Sequence, residues 1–187
     1  DVYKRQAKDG STYVEDAGRG YRKVVPSPMP KEIVEKEAVR ALVEADVLTI
    51  CSGGGGIPVV AEDGQYVGVE AVNDKDFSAR VLAENVDADR LIILTGVDNI
   101  YINYNQPDQK ALEQISVAEA EEYIKEGHFA AGSMLPKIEA ALDFVKGDDK
   151  RKAIITSIEN LENIDKEAGT VISQKGSVSY THLRAHE

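Results

Sequence analysis

Four consecutive apolar residues, Leu91 to Leu94, followed by Thr95 and the break Gly96-Val-Asp98, limit the fold of this chain more than any other feature. Side chains of a strand alternate between its two faces, so this run is apolar on both, the pattern of a parallel sheet covered by helices on each side. The neighbouring segments supply such helices. Between Lys31 and Asp46 the residues Ile33, Val34, Ala38, Ala41, Leu42 and Ala45 recur at helical spacing, after a Pro26-Ser-Pro-Met-Pro30 stretch that cannot be helical throughout. Phe77, Val81, Leu82 and Val86 predict a second helix from about Asp76. Ser116-Val-Ala-Glu119 has the capping-box pattern of a third, stopped by Gly127. A fourth runs from about Met134 to Lys146, with Pro136 in its first turn and Gly147 after its end.

Between these helices lie strand signals. Val47-Leu-Thr-Ile-Cys51 reads as a buried strand ending at Ser52-Gly-Gly-Gly-Gly56, with Cys51 in the core. Ile57-Pro-Val-Val60 and Tyr66-Val-Gly-Val-Glu70 read as shorter strands joined through the hairpin signal Asp63-Gly64. Ala153-Ile-Ile-Thr156 and Thr170-Val-Ile-Ser173 close the pattern. Strands alternating with helices predict a three-layer α/β sandwich with a mainly parallel central sheet.

At 187 residues the chain has the length of one domain. Its 22 Lys and Arg against 33 Asp and Glu give a net charge of −11 with no basic cluster, which argues against nucleic acid and anionic membrane as partners. No stretch approaches the ~18 apolar residues of a membrane span. A lone cysteine cannot close an internal disulfide and no secretory leader pattern is present, so a cytoplasmic protein is expected. Residues 1–6 and 176–187 carry none of the periodicity found between them and resemble translated sequencing adapter. Setting them aside removes His182 and His186, leaves His128 as the one remaining histidine, and argues against a histidine-clustered metal site.

Several segments offer chemistry beside a plainer reading. Gly53, Gly54 and Gly55, with Gly56, are either a tight turn or a backbone cradle for a small anion. They lack the Gly-Lys-Ser/Thr ending of a P-loop, and no helix start follows them, so neither that motif nor the dinucleotide fingerprint fits. Ala131-Gly-Ser-Met-Leu-Pro-Lys137 opens a helix with small residues, leaving first-turn N–H groups free to meet phosphate oxygens. Lys137 in that turn opposes the helix dipole unless an anion compensates, or it is a solvated surface lysine. Asn73-Asp-Lys-Asp76 is a helix N-cap, or holds a lysine that bridges a transferring phosphoryl group beside an acidic neighbour. His128 is a packed or helix-terminal histidine before it is a catalyst. Tyr101 and Tyr104 either flank a base or cover the sheet edge.

Taken together, Glu15-Asp-Ala-Gly-Arg-Gly-Tyr-Arg-Lys-Val-Val-Pro-Ser-Pro28, Gly53-Gly-Gly-Gly-Ile-Pro-Val-Val60, Val69-Glu-Ala-Val-Asn-Asp-Lys-Asp-Phe77, Leu94-Thr-Gly-Val-Asp98, Gly127-His-Phe-Ala-Ala-Gly-Ser-Met-Leu-Pro-Lys-Ile-Glu-Ala-Ala141 and Gly169-Thr-Val-Ile172 resemble the carbamate kinase family of the amino-acid kinase superfamily. The resemblance covers nearly all of residues 13–174. It implies reversible phosphoryl transfer between ATP and carbamate, giving ADP and carbamoyl phosphate, with Mg²⁺ carried by the nucleotide and no protein-held metal. In arginine-fermenting cells such enzymes usually run toward ATP. It implies that Lys75 neutralises the phosphoryl group in flight, that Asp76 positions the catalytic lysines, and that Lys137 with Gly132, Ser133 and Met134 meets the nucleotide phosphates. Asp74, Thr95, Gly96, Val97, Asp98 and Tyr101 complete the implied nucleotide site, and Gly53, Gly54 and Gly55 the cradle for substrate or phosphate.

The same resemblance casts residues 7–30 as a remnant of a protruding subdomain and 31–175 as the C-terminal, nucleotide-binding half of the kinase domain, a homodimer when complete. The family's Gly-Gly-Asn and His-Gly-Asn-Gly-Pro loops, which hold carbamate, do not occur in these 187 residues. The expectation is therefore a truncated fragment, inactive alone, with exposed sheet edges. A nucleotide-binding half-domain without catalysis, or a kinase of another small carboxylate or phosphonate, are the alternatives.

Overall fold

The structure, a computed structural model, describes residues 10–15 and 20–176. The leading segment 1–6, the tail from 177 and residues 16–19 of the Asp-Ala-Gly-Arg-Gly block lie outside the described residues. In chain order the elements are β1 (Thr12–Glu15), β2 (Tyr21–Val24), α1 (Lys36–Glu44), β3 (Val59–Glu62), β4 (Gln65–Gly68), α2 (Lys75–Asn85), β5 (Arg90–Thr95), β6 (Ile100–Ile102), β7 (Lys110–Leu112), β8 (Gln114–Ser116), α3 (Val117–Lys125), α4 (Met134–Lys146), β9 (Lys152–Ser157), a 3₁₀ helix (Glu159–Lys166) and β10 (Thr170–Ser173).

The principal sheet has the order β5-β9-β10-β8. β5 pairs with β9 and β8 with β10 in parallel, whereas β10 runs antiparallel to β9, so the sheet is mixed with two parallel ladders. Three antiparallel hairpins, β1-β2, β3-β4 and β6-β7, stand beside it. The β3-β4 turn follows from its sequence: Glu62 pairs with Gln65, and the two residues between, Asp63 and Gly64, both have positive φ (47° and 78°). That is the two-residue hairpin geometry for which Asp-Gly is favoured.

Burial centres on α4 and β9. Ile138, Ala141, Phe144 and Val145 of α4 pack on Leu91, Ile93, Ala153, Ile155 and Ile172 of the sheet. Removing the Leu, Ile, Val and Phe side chains among these from water stabilises the fold by about 1.5–3 kcal/mol each. β9 is buried on both faces, and the 3₁₀ helix that follows it packs near it. β5 is not, which corrects the expectation for it: Leu91 and Ile93 are buried, but Ile92 and Leu94 are exposed, because among the described residues helices cover only one face of this edge strand.

Two further expectations are corrected. Residues 47–51 form no strand, and Leu48 and Ile50 are each 96% exposed. A β-branched run becomes a strand only where a ladder satisfies its backbone, and no described strand pairs with it. Cys51 is accordingly half-buried and not a core residue. The first helix spans Lys36–Glu44 and not 31–46, burying Val39 alone, so little packing holds its ends.

The other helices match their signals closely. α4 has the expected limits. At α3, Ser116 Oγ accepts from the Glu119 N–H (3.2 Å), and the Glu119 carboxylate accepts from the Ser116 N–H (2.7 Å) and Oγ–H (2.7 Å). These bonds from the Ser116 backbone and hydroxyl hold the Glu119 carboxyl below its ordinary value of 4.5. A depressed carboxyl contributes stability above its unfolded pKa and loses that contribution as pH falls through the folded one. Ser116→Ala should therefore destabilise the chain by about 1 kcal/mol in urea melts at neutral pH. That difference should shrink once pH drops below 4.5, and a pH-independent difference would contradict the reciprocal cap.

Candidate functional site

α2 leads into β5 and α4 into β9 through short connections, and β5 and β9 are parallel with Thr95 opposite Ser157. The N-terminal ends of both helices and the carboxyl ends of both strands therefore share one edge of the sheet. In open α/β sheets ligands bind at this edge.

The start of α2 is built by Asp74, whose Oδ1 accepts from the Asp76 N–H at 2.8 Å as an N-cap. The cap turns Asp76 inward. Its carboxylate, with the side chain 8% exposed, accepts on Oδ2 from Lys75 Nζ at 3.2 Å and from Lys137 Nζ at 2.8 Å. Lys137 is 11% exposed and Lys75 is 60% exposed. The acid that offsets the helix-dipole cost of Lys137 is thus Asp76, 61 positions away in sequence and at the head of a different helix. Each ammonium has three donors, and Asp76 takes one from each. For Lys75, burial disfavours the charge, but the hydrogen bond to Asp76 and the charges of Asp76 and Asp74 outweigh it, and its pKa is raised above 10.5. Two cations fixed against a single buried carboxylate form a preorganised receptor for oxygen anions.

The glycine loop lies against this helix start. Gly55 has φ +132°, and a Cβ there would come within 2.3 Å of the Asn73 carbonyl oxygen, so only glycine fits. Ser78 of α2, buried, donates to the Gly55 carbonyl at 2.8 Å. The Gly53 and Gly55 N–H groups donate to Cys51 and Ser52 carbonyls, closing the turn. At the head of α4, Ser133 makes no side-chain cap, and Gly132 and Met134 flank it.

On the strand side, residues 95–101 are stitched to the body of the sheet. Asp98 Oδ1 accepts from Ser157 Oγ at 2.5 Å, and its carbonyl from Thr156 Oγ1 at 3.2 Å. Asn99 donates to the Leu112 carbonyl, and the Ile100 N–H donates to Thr170 Oγ1, itself a donor to the Leu112 carbonyl. Tyr101 and Tyr104 follow, with ring centroids 5.9 Å apart. Thr156 and Ser157 carried no sequence signal beyond strand propensity. His128 sits at the end of α3, near Glu126 (3.1 Å) and edge-on to Tyr123, outside this cluster. Two surface clefts, of about 310 and 560 Å³, also lie elsewhere, along α3. The side chains at the sheet edge, and not a closed cavity, define the site. Among the described residues no group of three or more His, Cys, Asp or Glu could hold a metal ion, and no helix is long and apolar enough to cross a membrane.

The Amino acid kinase family model matches residues 2–157. Carbamate kinase 1 of Enterococcus faecium is 55% identical over 91% of this chain and 55% of its own length. The carbamate kinase of Latilactobacillus sakei is 56% identical over 87% of this chain and 52% of its own. The structure of Giardia lamblia carbamate kinase bound to AMP-PNP superimposes with a TM-score of 0.82 at 43% identity, covering 92% of this chain and 55% of that one. The chain thus spans about half the length of the curated relatives it matches.

The burial difference between the two lysines has a measurable consequence. Asp76→Ala removes the one carboxylate bound to both, including the deeply buried partner of Lys137, and should cost about 3 kcal/mol in urea unfolding. Lys75→Ala, which breaks the exposed arm, should cost less than about 1 kcal/mol. Since the Lys75 pKa is raised, its contribution is complete below 10.5 and is lost as pH rises through the folded value. Equal losses in the two variants would refute the assignment of Asp76 as the shared anchor.

Proposed function

Because the chain belongs to the amino acid kinase family, we propose that it carries the nucleotide side of a site for reversible phosphoryl transfer between ATP and carbamate, giving ADP and carbamoyl phosphate. The observation that supports this most is the Asp76 carboxylate holding Lys75 and Lys137 together at the heads of two helices. A phosphoryl group in flight spreads negative charge over its equatorial oxygens, and catalysis consists of positioning and positive charge. Lys75, the exposed ammonium, meets that group. Lys137 and the N–H groups at residues 132–134 take the nucleotide phosphates with Asp74 beside them, while Asp76 orients the lysines. Residues 95–98 and Tyr101 lie over the ribose and adenine, and the backbone at Gly53, Gly54 and Gly55 lines the transferred phosphate.

As the bond from the γ-phosphorus to the ADP oxygen breaks, a carbamate oxygen forms the new one. Carbamate is already an oxygen anion, so no side-chain base is needed. Mg²⁺ arrives on the nucleotide phosphates. In this reading the whole protein is a cytoplasmic homodimer that runs toward ATP.

ATP formation from ADP and carbamoyl phosphate, followed in a coupled assay of the whole protein, tests the reading. Lys75→Ala should abolish turnover and leave ADP affinity within a few fold, whereas Lys137→Ala should weaken both. Normal turnover in either variant would defeat these roles. Turnover with acetyl phosphate and none with carbamoyl phosphate would assign the site to another small carboxylate, and ADP binding without turnover of either would leave a nucleotide-binding unit.

A further inference from the structure

Ser157 is 2% exposed at the carboxyl end of β9, and its hydroxyl donates to one oxygen of an exposed carboxylate, Asp98 Oδ1, at 2.5 Å. The bond joins the carboxyl end of β9, where Ser157 pairs with Thr95, to the turn that follows β5. The arrangement is reinforced from β9 and the 3₁₀ helix after it: Thr156, fully buried, donates to the Asp98 carbonyl, and Asn160 of the 3₁₀ helix donates to Thr156 Oγ1 at 3.4 Å and to Ser157 Oγ through its backbone N–H at 3.3 Å. Main chain and carboxylate of Asp98 are therefore both immobilised. Asp98 Oδ2 has no protein partner among the described residues.

A solvent-facing carboxylate with one oxygen tied down and the other open is an acceptor aimed outward. It stands at the sheet edge where the heads of α2 and α4 bring Lys75 and Lys137. A phosphate chain anchored at those cations leads its sugar along this edge, and carboxylates are the acceptors that pair with ribose hydroxyls at such edges. We infer that Ser157 is a positioning residue that aims Asp98 Oδ2 at a ribose hydroxyl of the bound nucleotide, so that the Ser157–Asp98 pair distinguishes ribonucleotides from deoxynucleotides. This rests on the nucleotide reading of the site and adds to it the residue that aims the acceptor and the sugar hydroxyl it would select.

The test is competitive binding to the 187-residue chain of ADP, 2′-deoxy-ADP, 3′-deoxy-ADP and inorganic tripolyphosphate. The chain should prefer ADP over at least one deoxy analogue by about tenfold, the worth of one hydrogen bond to a charged group. Ser157→Ala should bring that ratio close to one while leaving tripolyphosphate affinity unchanged, and Ser157→Thr, which keeps the hydroxyl, should retain the ratio. Parallel weakening of all four ligands in Ser157→Ala would make the residue merely structural and overturn the inference. Should Ser157→Ala fail to fold, Asp98→Asn on the exposed partner decides: lost discrimination upholds the pair and retained discrimination overturns it. Equal affinity of the unaltered chain for ADP and both analogues overturns the inference and leaves the nucleotide reading standing, whereas no ADP binding at all removes both.

Discussion

The Asp76 carboxylate holds the candidate site together. One of its oxygens receives ammonium groups from Lys75, beside it in sequence, and Lys137, at the head of another helix. A buried carboxylate is costly unless charge and hydrogen bonds compensate, and the buried Lys137 and the exposed Lys75 would repel without it. Each partner thus makes the others tolerable. The contact also joins the leading turns of α2 and α4, the helices that feed the two parallel strands β5 and β9.

The rest of the site depends on that alignment. Asp74 caps α2 and directs Asp76 inward, and Ser78 together with the Gly55–Asn73 approach presses the glycine loop onto the same helix end. Because β5 and β9 lie in parallel register, the strand that ends at Thr95 and leads to Asp98 is locked to the one that presents Thr156 and Ser157. Rigid elements hold both groups, which suits chemistry that relies on preorganised charge. The opposite holds at residues 47–51 and along the outer face of β5, where Leu48, Ile50, Ile92 and Leu94 face solvent.

Local signals were legible where the interaction is local. The Ser116–Glu119 box, the Asp63-Gly64 hairpin, the limits of α4 and the Asp74 cap each involve residues a few positions apart, and each has the structure its residue types require. The hairpins β1-β2 and β6-β7, strand β8 and the antiparallel placement of β10 carried no comparable signal, since pairing and direction depend on remote partners. The Val47-to-Cys51 run failed for the same reason, its strand propensity having no neighbour to pair with among the described residues. Apolarity on both sides of β5 was likewise a statement about coverage, which the strand itself cannot supply.

The sequence by itself determined the layered α/β class, the starts and stops of the helices after the first, the acidic surface, and the residue types gathered at the two helix heads. Periodicity, caps and turns are encoded in short windows and need nothing distant to be read. Only the tertiary structure decided that Lys137 finds its counter-charge in Asp76, that Ser157 holds Asp98, and that one face of β5 stays open. Those are encounters between residues tens of positions apart, and an ionic or hydrogen-bonded partner of that kind exists only once the sheet has set its register and brought the strand ends to a common edge.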